Sequence, residues 1–262
     1  MTGLAIDALS GAFRNADGSM TPILHNVSFT LEPGLITAVV GESGSGKSLT
    51  ALNILGIQPA TFRRTGGEIR FDGADLLALP EAALRGIRGK RISMVFQDAR
   101  AALNPVFSVG RQLAEIHRLH HGGSATAAMA RALEVLAQVR IPEPARRARQ
   151  YPHEFSGGMA QRVMIAMAAL VCTPSVLILD EPTTGLDVTI QADIMDLITD
   201  LARGRGLTAC LITHDLGVVA ETCDAVVVMQ SGRVVETGST EAIFTAPVHA
   251  YTRHLLAASN LA

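Results

Sequence analysis

Gly41-Glu42-Ser43-Gly44-Ser45-Gly46-Lys47-Ser48 is the stretch on which the reading of this chain turns. Leu35-Ile36-Thr37-Ala38-Val39-Val40 precedes it and is apolar on both faces, as a central parallel strand must be. Leu49-Thr50-Ala51-Leu52-Asn53-Ile54-Leu55 follows and reads as a helix stopped at Gly56. Strand, loop and helix in that order are the context that gives such a run its meaning. Three glycines let successive backbone N–H groups curl around a polyphosphate, where a Cβ would clash or bar the needed φ. The helix opening near Lys47 turns its unpaired N–H groups and positive dipole end toward the same charge. Lys47 is then expected to reach the β- and γ-phosphates, and the Ser48 hydroxyl to ligate Mg²⁺. A Gly/Ser-rich loop that fits by chance does not explain both flanks, so a nucleotide is expected.

Size and composition bound the rest. A chain of 262 residues buries a sizeable core and fits one large α/β domain, with or without a subdomain. Hydrophobic content of 48% against 18% charged residues excludes a disordered chain. The net charge of −2 argues against a nucleic-acid footprint covering the domain. No apolar run approaches the roughly 18–20 residues that span a bilayer. The longest, residues 163–172, ends at Thr173-Pro174. No basic stretch leads into an apolar core at the N-terminus, and Asp7 comes early, so no signal peptide is expected. Any membrane role is then peripheral. Cys172, Cys210 and Cys223 lie scattered in apolar segments without ligand spacing, as reduced core thiols of a cytosolic protein would.

Before the loop, residues 4–13 and 23–31 have strand character, divided by the turn signal Asn15-Ala16-Asp17-Gly18. Two strands ahead of a strand–loop–helix unit predict an antiparallel flap beside a mostly parallel sheet. Phe13, one of few aromatics, either stacks on a nucleotide base or packs under the flap. After the loop, residues 65–73 read as a strand closed by Asp72-Gly73, residues 80–87 as a helix, and residues 91–96 as a strand ending at Gln97. Ligands of open α/β sheets gather at the carboxyl ends of strands, which singles out Gln97.

From residue 98 to 155 the pattern turns helical. Residues 109–121 form one expected helix; Ser124 caps the next, whose apolar stripe is Met129, Leu133, Leu136 and Val139. His117, His120 and His121 read as a solvated helix end before Gly122-Gly123 in preference to a metal cluster. Ser156-Gly157-Gly158 then opens a helix over residues 159–168, a second anion site of the helix-terminus kind. Val176-Leu177-Ile178-Leu179 is a fully apolar strand with Asp180-Glu181-Pro182 at its carboxyl end. At the mouth of a phosphate site Asp180 is placed to hold Mg²⁺ and Glu181 to orient or deprotonate an attacking water. Thr183-Thr184-Gly185-Leu186-Asp187 follows as a polar loop before a helix to about residue 202. Residues 207–213 form another apolar strand, with His214-Asp215 at its end. A hairpin around Ser231-Gly232 and a mostly helical tail interrupted by Pro247 complete the chain.

The phosphate loop, Gln97, Ser156-Gly157-Gly158-Met159-Ala160-Gln161-Arg162, Leu177-Ile178-Leu179-Asp180-Glu181-Pro182 and Thr213-His214-Asp215 stand in the order of an ATP-binding subunit of an ABC transporter, which this chain resembles along essentially its whole length. The fold implied is a P-loop NTPase α/β core of mixed sheet with an antiparallel β flap and an inserted α-helical subdomain. Residues 1–97 and 156–262 would be the core with its flap, and residues 98–155 the insertion. ATP and Mg²⁺ are the implied cofactors. ATP would be held by Gly41, Glu42, Ser43, Gly44, Ser45, Gly46, Lys47, Ser48, Leu49 and Phe13, and Mg²⁺ by Ser48, Gln97 and Asp180. Glu181, His214 and Gln97 would be catalytic. Ser156, Gly157, Gly158 and Met159 would grip the ATP of a facing cassette, and Asp187 would communicate across the pair.

Within the family, Met94-Val95-Phe96-Gln97-Asp98, Ala102-Leu103-Asn104-Pro105, Tyr151-Pro152-His153-Glu154-Phe155 and the segment from Pro247 through Tyr251-Thr252-Arg253 resemble the peptide and nickel importers. Ala99 and Gly185 depart from that group, where proline and alanine are usual. The chain stops soon after the last segment, as nickel-import ATPases do, which leans the expected cargo toward nickel over dipeptides or oligopeptides. The resemblance implies a homologous second ATPase subunit, two membrane-spanning permeases and an extracytoplasmic solute-binding protein. It places the chain peripherally at the cytoplasmic face of the inner membrane. A non-transport ABC ATPase would bring two cassettes or a coiled-coil insertion, and a GTPase an Asn-Lys-x-Asp stretch; neither feature is present in this sequence.

Overall fold

The computed structural model describes residues 3–259. Its elements begin with β1 (Leu4–Arg14), β2 (Met20–Leu31), β3 (Ile36–Val40), α1 (Lys47–Ile54), β4 (Phe62–Phe71), β5 (Ala74–Asp75), α2 (Glu81–Ile87) and β6 (Ile92–Val95). Next come α3 (Ala99–Ala102), α4 (Val109–His121), α5 (Ala125–Gln138), α6 (Pro144–Arg147), α7 (Gly157–Ile165), β7 (Val176–Asp180) and α8 (Val188–Arg205). The last are β8 (Thr208–Ile212), α9 (Leu216–Thr222), β9 (Ala225–Gln230), β10 (Arg233–Ser239), α10 (Thr240–Thr245) and α11 (Ala250–Ala258). The chain divides into two compact units: residues through Gly86 with those from Gly206 onward, and Ile87–Arg205.

In the first unit every residue of β3 is buried. It pairs in parallel with β8 on one side and β9 on the other, Thr37 lying opposite Cys210 and Ala225. A strand enclosed by neighbours on both edges and covered on both faces has no polar face to show, which is why its sequence lacks alternation. β9 turns at Ser231-Gly232 into antiparallel β10. The expected flap is an antiparallel sheet in the order β2-β1-β4-β5. It is joined to the β9–β10 turn by the His25 N–H, which donates to the Gly232 carbonyl at 2.8 Å. Gly232 has φ 75°, and a Cβ there would overlap the Ile23 carbonyl oxygen. No other residue tolerates both conditions cheaply.

The second unit is built on the parallel pair β6 and β7, with Ile92 opposite Val176 and Val95 opposite Leu179. Both strands are buried throughout. Each large aliphatic side chain so enclosed contributes about 1.5–3 kcal/mol. α4 and α5 have the predicted bounds, and the Ser124 hydroxyl caps α5 by accepting from the Ala127 N–H at 3.2 Å.

The predicted stripe of α5 holds at Leu136 and Val139, both fully buried, and needs correction at Met129 and Leu133. Ala128, Ala132, Val135 and Leu136 face inward, whereas Met129 is 37% exposed. Alanines let the neighbours approach closely, and the larger Met129 and Leu133 sit toward the rim. The histidines also differ from a solvated end: only His121 is exposed, while His117 and His120 are half-buried. Burial, with the neighbouring His121, holds both below the usual histidine range. His121 stacks on His117, and its Nε2 lies 2.7 Å from the Val171 carbonyl. Among the described residues no group of three potential ligands is arranged to hold a metal. α7 continues through a π-helical turn at Ala166–Val171, so the predicted single helix changes its winding midway. All three cysteines are buried and reduced, as expected.

Candidate functional site

In the first unit the loop leaves the carboxyl end of β3 and enters α1 at Lys47. Gly41 and Gly46 have φ of 147° and 101°. A Cβ on Gly41 would overlap the Met229 carbonyl oxygen, and one on Gly46 would lie 2.7 Å from Leu24 Cδ2. Thus β9 and the flap press on the loop at these two points, and only glycine fits between them. The Ser45 carbonyl accepts from the Gly232 N–H at 3.0 Å, which ties the crown of the loop to the β9–β10 turn. Gly46 stands at the N-cap of α1 without a side-chain cap, so the positive end of the helix meets no capping side chain there. Lys47 is 6% exposed, and its Nζ donates to the carbonyls of Gly41 (2.7 Å) and Glu42 (2.8 Å). Ser48 and Leu49 are half-buried on the first turn of α1, while Glu42 and Ser43 are exposed.

β8 runs parallel to β3, so exposed His214, just beyond it, emerges at the same sheet end as the loop. Phe13 is half-buried on β1 and meets Phe62 edge-on at 5.5 Å. The flap therefore holds one edge of its ring, as the packing alternative expects.

The second unit brings together the strand-end residues of β6 and β7. Gln97 Nε2 donates to Glu181 Oε2 at 3.0 Å, and Thr184 Oγ1 donates to the same oxygen at 2.9 Å. Asp180, the last residue of β7, is 8% exposed. Glu181 has φ 45°, a left-handed conformation that costs a non-glycine residue about 1–3 kcal/mol and is concentrated at functional sites. The turn re-aims the carboxylate after a fully buried strand.

Ser156 is the N-cap of α7, its Oγ accepting from the Met159 N–H at 3.3 Å. Gly157, Gly158 and Met159 are half-buried behind it. A Cβ on Gly158 would come 2.6 Å from Ile190 Cγ2, so the glycine also admits the start of α8. Asp187 is exposed, and its Oδ1 accepts from the Ile190 N–H at 3.0 Å, initiating α8. A cavity of about 680 Å³ is lined by Gln97, Arg100, Gly157, Gln161, Thr184 and Leu186 among others. It joins the strand-end glutamine to the start of α7 inside one unit.

Two contacts were not legible in the sequence. Thr184 lay in a polar loop with no assigned role; a hydroxyl three residues beyond a strand-end carboxylate was the available signal. Tyr251 accepts at its hydroxyl from the Glu42 N–H at 2.9 Å, although 209 positions separate them. Nothing in local spacing announces that pair.

The ABC transporter family model matches residues 24–184. A probable peptide ABC transporter ATP-binding protein of Sinorhizobium fredii is 53% identical over 91% of this chain and 71% of its own length. The oligopeptide transport ATP-binding protein OppD of Salmonella typhimurium is 48% identical over 97% of this chain and 75% of its own. A peptidoglycan transport ATP-binding protein of Agrobacterium fabrum is 51% identical over 97% of this chain, which spans only 46% of that relative. Among solved structures, the dimeric post-hydrolysis state of the ATP-binding cassette MJ0796 with ADP and Pi superposes with a TM-score of 0.80 at 27% identity, covering 90% of this chain and 98% of that one. The glycine-walled loop, the strand-end carboxylates and these likenesses lead to one assignment: the chain belongs to the ABC transporter family of ATP-hydrolysing cassettes.

Proposed function

We propose that this chain energises a peptide importer by binding and hydrolysing ATP between two facing cassettes. The observation that carries the hydrolytic part is Glu181, whose carboxylate is oriented at the end of β7 by Gln97 and Thr184. The first unit supplies the loop of residues 41–48, its N–H groups and Lys47 for the phosphates, with Ser48 as a Mg²⁺ donor. In the second, Asp180 and Gln97 would offer oxygen donors to Mg²⁺. Glycine at 41 and 46 lets the loop pack against β9 and the flap, where a side chain would meet Met229 and Leu24, and a helix start without a side-chain cap at Gly46 supports a polyphosphate at the loop. Bound Mg²⁺ would neutralise charge developing on the transferred phosphoryl group.

Glu181 accepts a proton from water as the water oxygen bonds to the γ-phosphorus. The bond from that phosphorus to the bridging oxygen breaks, giving ADP and phosphate. His214 contacts the γ-phosphate, and Phe13, backed by Phe62, offers its ring to the base. Ser156, Gly157, Gly158 and Met159 complete the pocket of the facing cassette, whose closure Asp187 relays. A homologous second ATPase chain, two permeases and an extracytoplasmic binding protein complete the assembly. Among the described residues no helix is long and apolar enough to cross a membrane. Attachment to the cytoplasmic face of the inner membrane would come through the permeases.

The cargo reading moves from nickel to peptides. The Sinorhizobium and Salmonella relatives carry peptide or oligopeptide in their names, and that supports peptides over the nickel expected from chain length. Uptake by cells with and without the chain, using a labelled tripeptide, a muropeptide and ⁶³Ni²⁺ in parallel, decides it. Loss of peptide uptake with nickel uptake intact is expected; the opposite pattern would restore nickel.

A further inference from the structure

Both backbone groups of Glu42 are pinned. Its carbonyl accepts from Lys47 Nζ at 2.8 Å, and its N–H donates to the Tyr251 hydroxyl at 2.9 Å. Tyr251 is 7% exposed on α11, the last helix of the chain. That helix is itself held at its start. Glu236 of β10 accepts from the Val248 N–H at 2.7 Å and from the His249 N–H at 2.9 Å. His249 Nδ1 caps α11 by accepting from the Tyr251 N–H at 3.2 Å. Arg253 Nη1 closes the same turn by donating to the Pro247 and Val248 carbonyls at 3.1 and 2.7 Å. A continuous set of contacts thus runs from β10 through the start of α11 to the second residue of the phosphate loop.

The chemistry of the acceptor matters. A loop built to gather anions needs its remaining donor satisfied without introducing negative charge. A carboxylate at this place would repel the polyphosphate, whereas a phenol accepts and stays neutral. Burial pushes the Tyr251 phenol above its ordinary value, the Glu42 N–H opposing, so neutrality is secure at physiological pH. Burial alone would raise Glu236, but the nearby Thr252 side chain and the hydrogen bonds from the Val248 and His249 N–H groups outweigh it and hold it below the usual carboxylate range, so the anchor is charged.

We propose that Tyr251 is a positioning residue of the nucleotide site: its hydroxyl fixes the Glu42 N–H and presets the curl of residues 41–48 for triphosphate, making α11 part of that site. The proposal rests on the reading of this loop as the triphosphate site. The test is calorimetric titration of MgATP into the full chain, with steady-state hydrolysis beside it. Tyr251→Phe keeps the buried ring and deletes one oxygen. It should weaken ATP binding about three- to tenfold, the cost of one lost hydrogen bond, with a raised KM and kcat within about twofold. Glu42→Pro removes the donor instead of the acceptor, and Glu42 has no positive φ to forbid it. In that background Tyr251→Phe should add no further loss. An unchanged Kd in Tyr251→Phe, or equal losses in both backgrounds, overturns the proposal. If Glu42→Pro does not fold, hydrogen exchange of the Glu42 amide decides: protected in the wild type and faster in Tyr251→Phe, or the idea fails. A wild-type chain that binds no ATP would instead refute the site reading, and this proposal with it.

Discussion

Gln97 and Glu181 meet at 3.0 Å, amide nitrogen on Oε2, across the ends of two parallel strands 84 positions apart in sequence. Thr184 donates to the same oxygen. Two donors on one oxygen orient the carboxylate. Such a group is set up to take a proton from water and contributes little to nucleotide binding. Glu181→Gln should therefore lower kcat by about 10²–10⁴-fold, the range for losing a general base, with ATP affinity within twofold of wild type. Single-turnover hydrolysis and equilibrium binding on the same preparation check it. A matching loss of affinity would place Glu181 in the binding surface.

Lys47 is the residue proposed for the phosphate-binding half of the chemistry. Its Nζ is buried and already within hydrogen-bond distance of two loop carbonyls. Lys47→Ala removes a full positive charge proposed for the phosphates and leaves the Gly41 and Glu42 carbonyls without this donor. ATP affinity is expected to fall by more than tenfold, read by calorimetry. Unchanged affinity would remove the lysine from the phosphate site.

Ser156 faces a separate question, because it lies in the unit that lacks the phosphate loop. As N-cap of α7 it stabilises the helix by about 1 kcal/mol, so a substitution that removes the cap shifts Tm by a few degrees. Ser156→Arg places a long side chain where a facing cassette's γ-phosphate is proposed to sit. Binding of ATP to the monomer should remain, and ATP-driven dimerisation in a Glu181→Gln background should be lost, as followed by size-exclusion chromatography with light scattering. A monomer that loses ATP would put Ser156 in its own chain's pocket.

What the sequence made legible follows a physical divide. The loop between β3 and α1, the strand ends carrying Gln97 and Asp180-Glu181, and the caps Ser124 and Ser156 each depend on neighbours within a few residues. Periodicity and turn chemistry report such neighbours directly. At the start of α5 side-chain size is a poor guide to burial, because close helix packing selects Ala128 and Ala132 over Met129 and Leu133, while Leu136 and Val139 lie buried as the stripe predicts. Thr184 on Glu181 is a local pair, three residues apart, to which a polar-loop reading assigns no role, whereas Tyr251 on Glu42 depends on where separate segments cross. The π-helical turn at Ala166–Val171 lies in a uniformly apolar run, which carries no periodic signal to distinguish one winding from another.

That same run ends at Cys172, which is 6% exposed. Burial pushes its thiol from 9.0 to about 11, with a Ser93 hydrogen bond opposing. The sign follows from proton counts. In the unfolded chain the thiol ionises near its ordinary value, while the folded chain keeps its proton until about pH 11. Between those limits the unfolded state binds fewer protons, so stability falls as pH rises. Below pH 9.0 the contribution is fully present. The shift of two units corresponds to roughly 2–3 kcal/mol lost across the window. Urea unfolding at pH 7.5, 9, 10 and 11 should show wild type losing more stability than Cys172→Ala over that range, whatever constant offset the smaller side chain introduces. Parallel curves for the two proteins would mean that the thiol ionises as readily folded as unfolded. Native Cys172 should also react slowly with maleimide at pH 7.5 and quickly in urea, because the buried thiol supplies almost no thiolate.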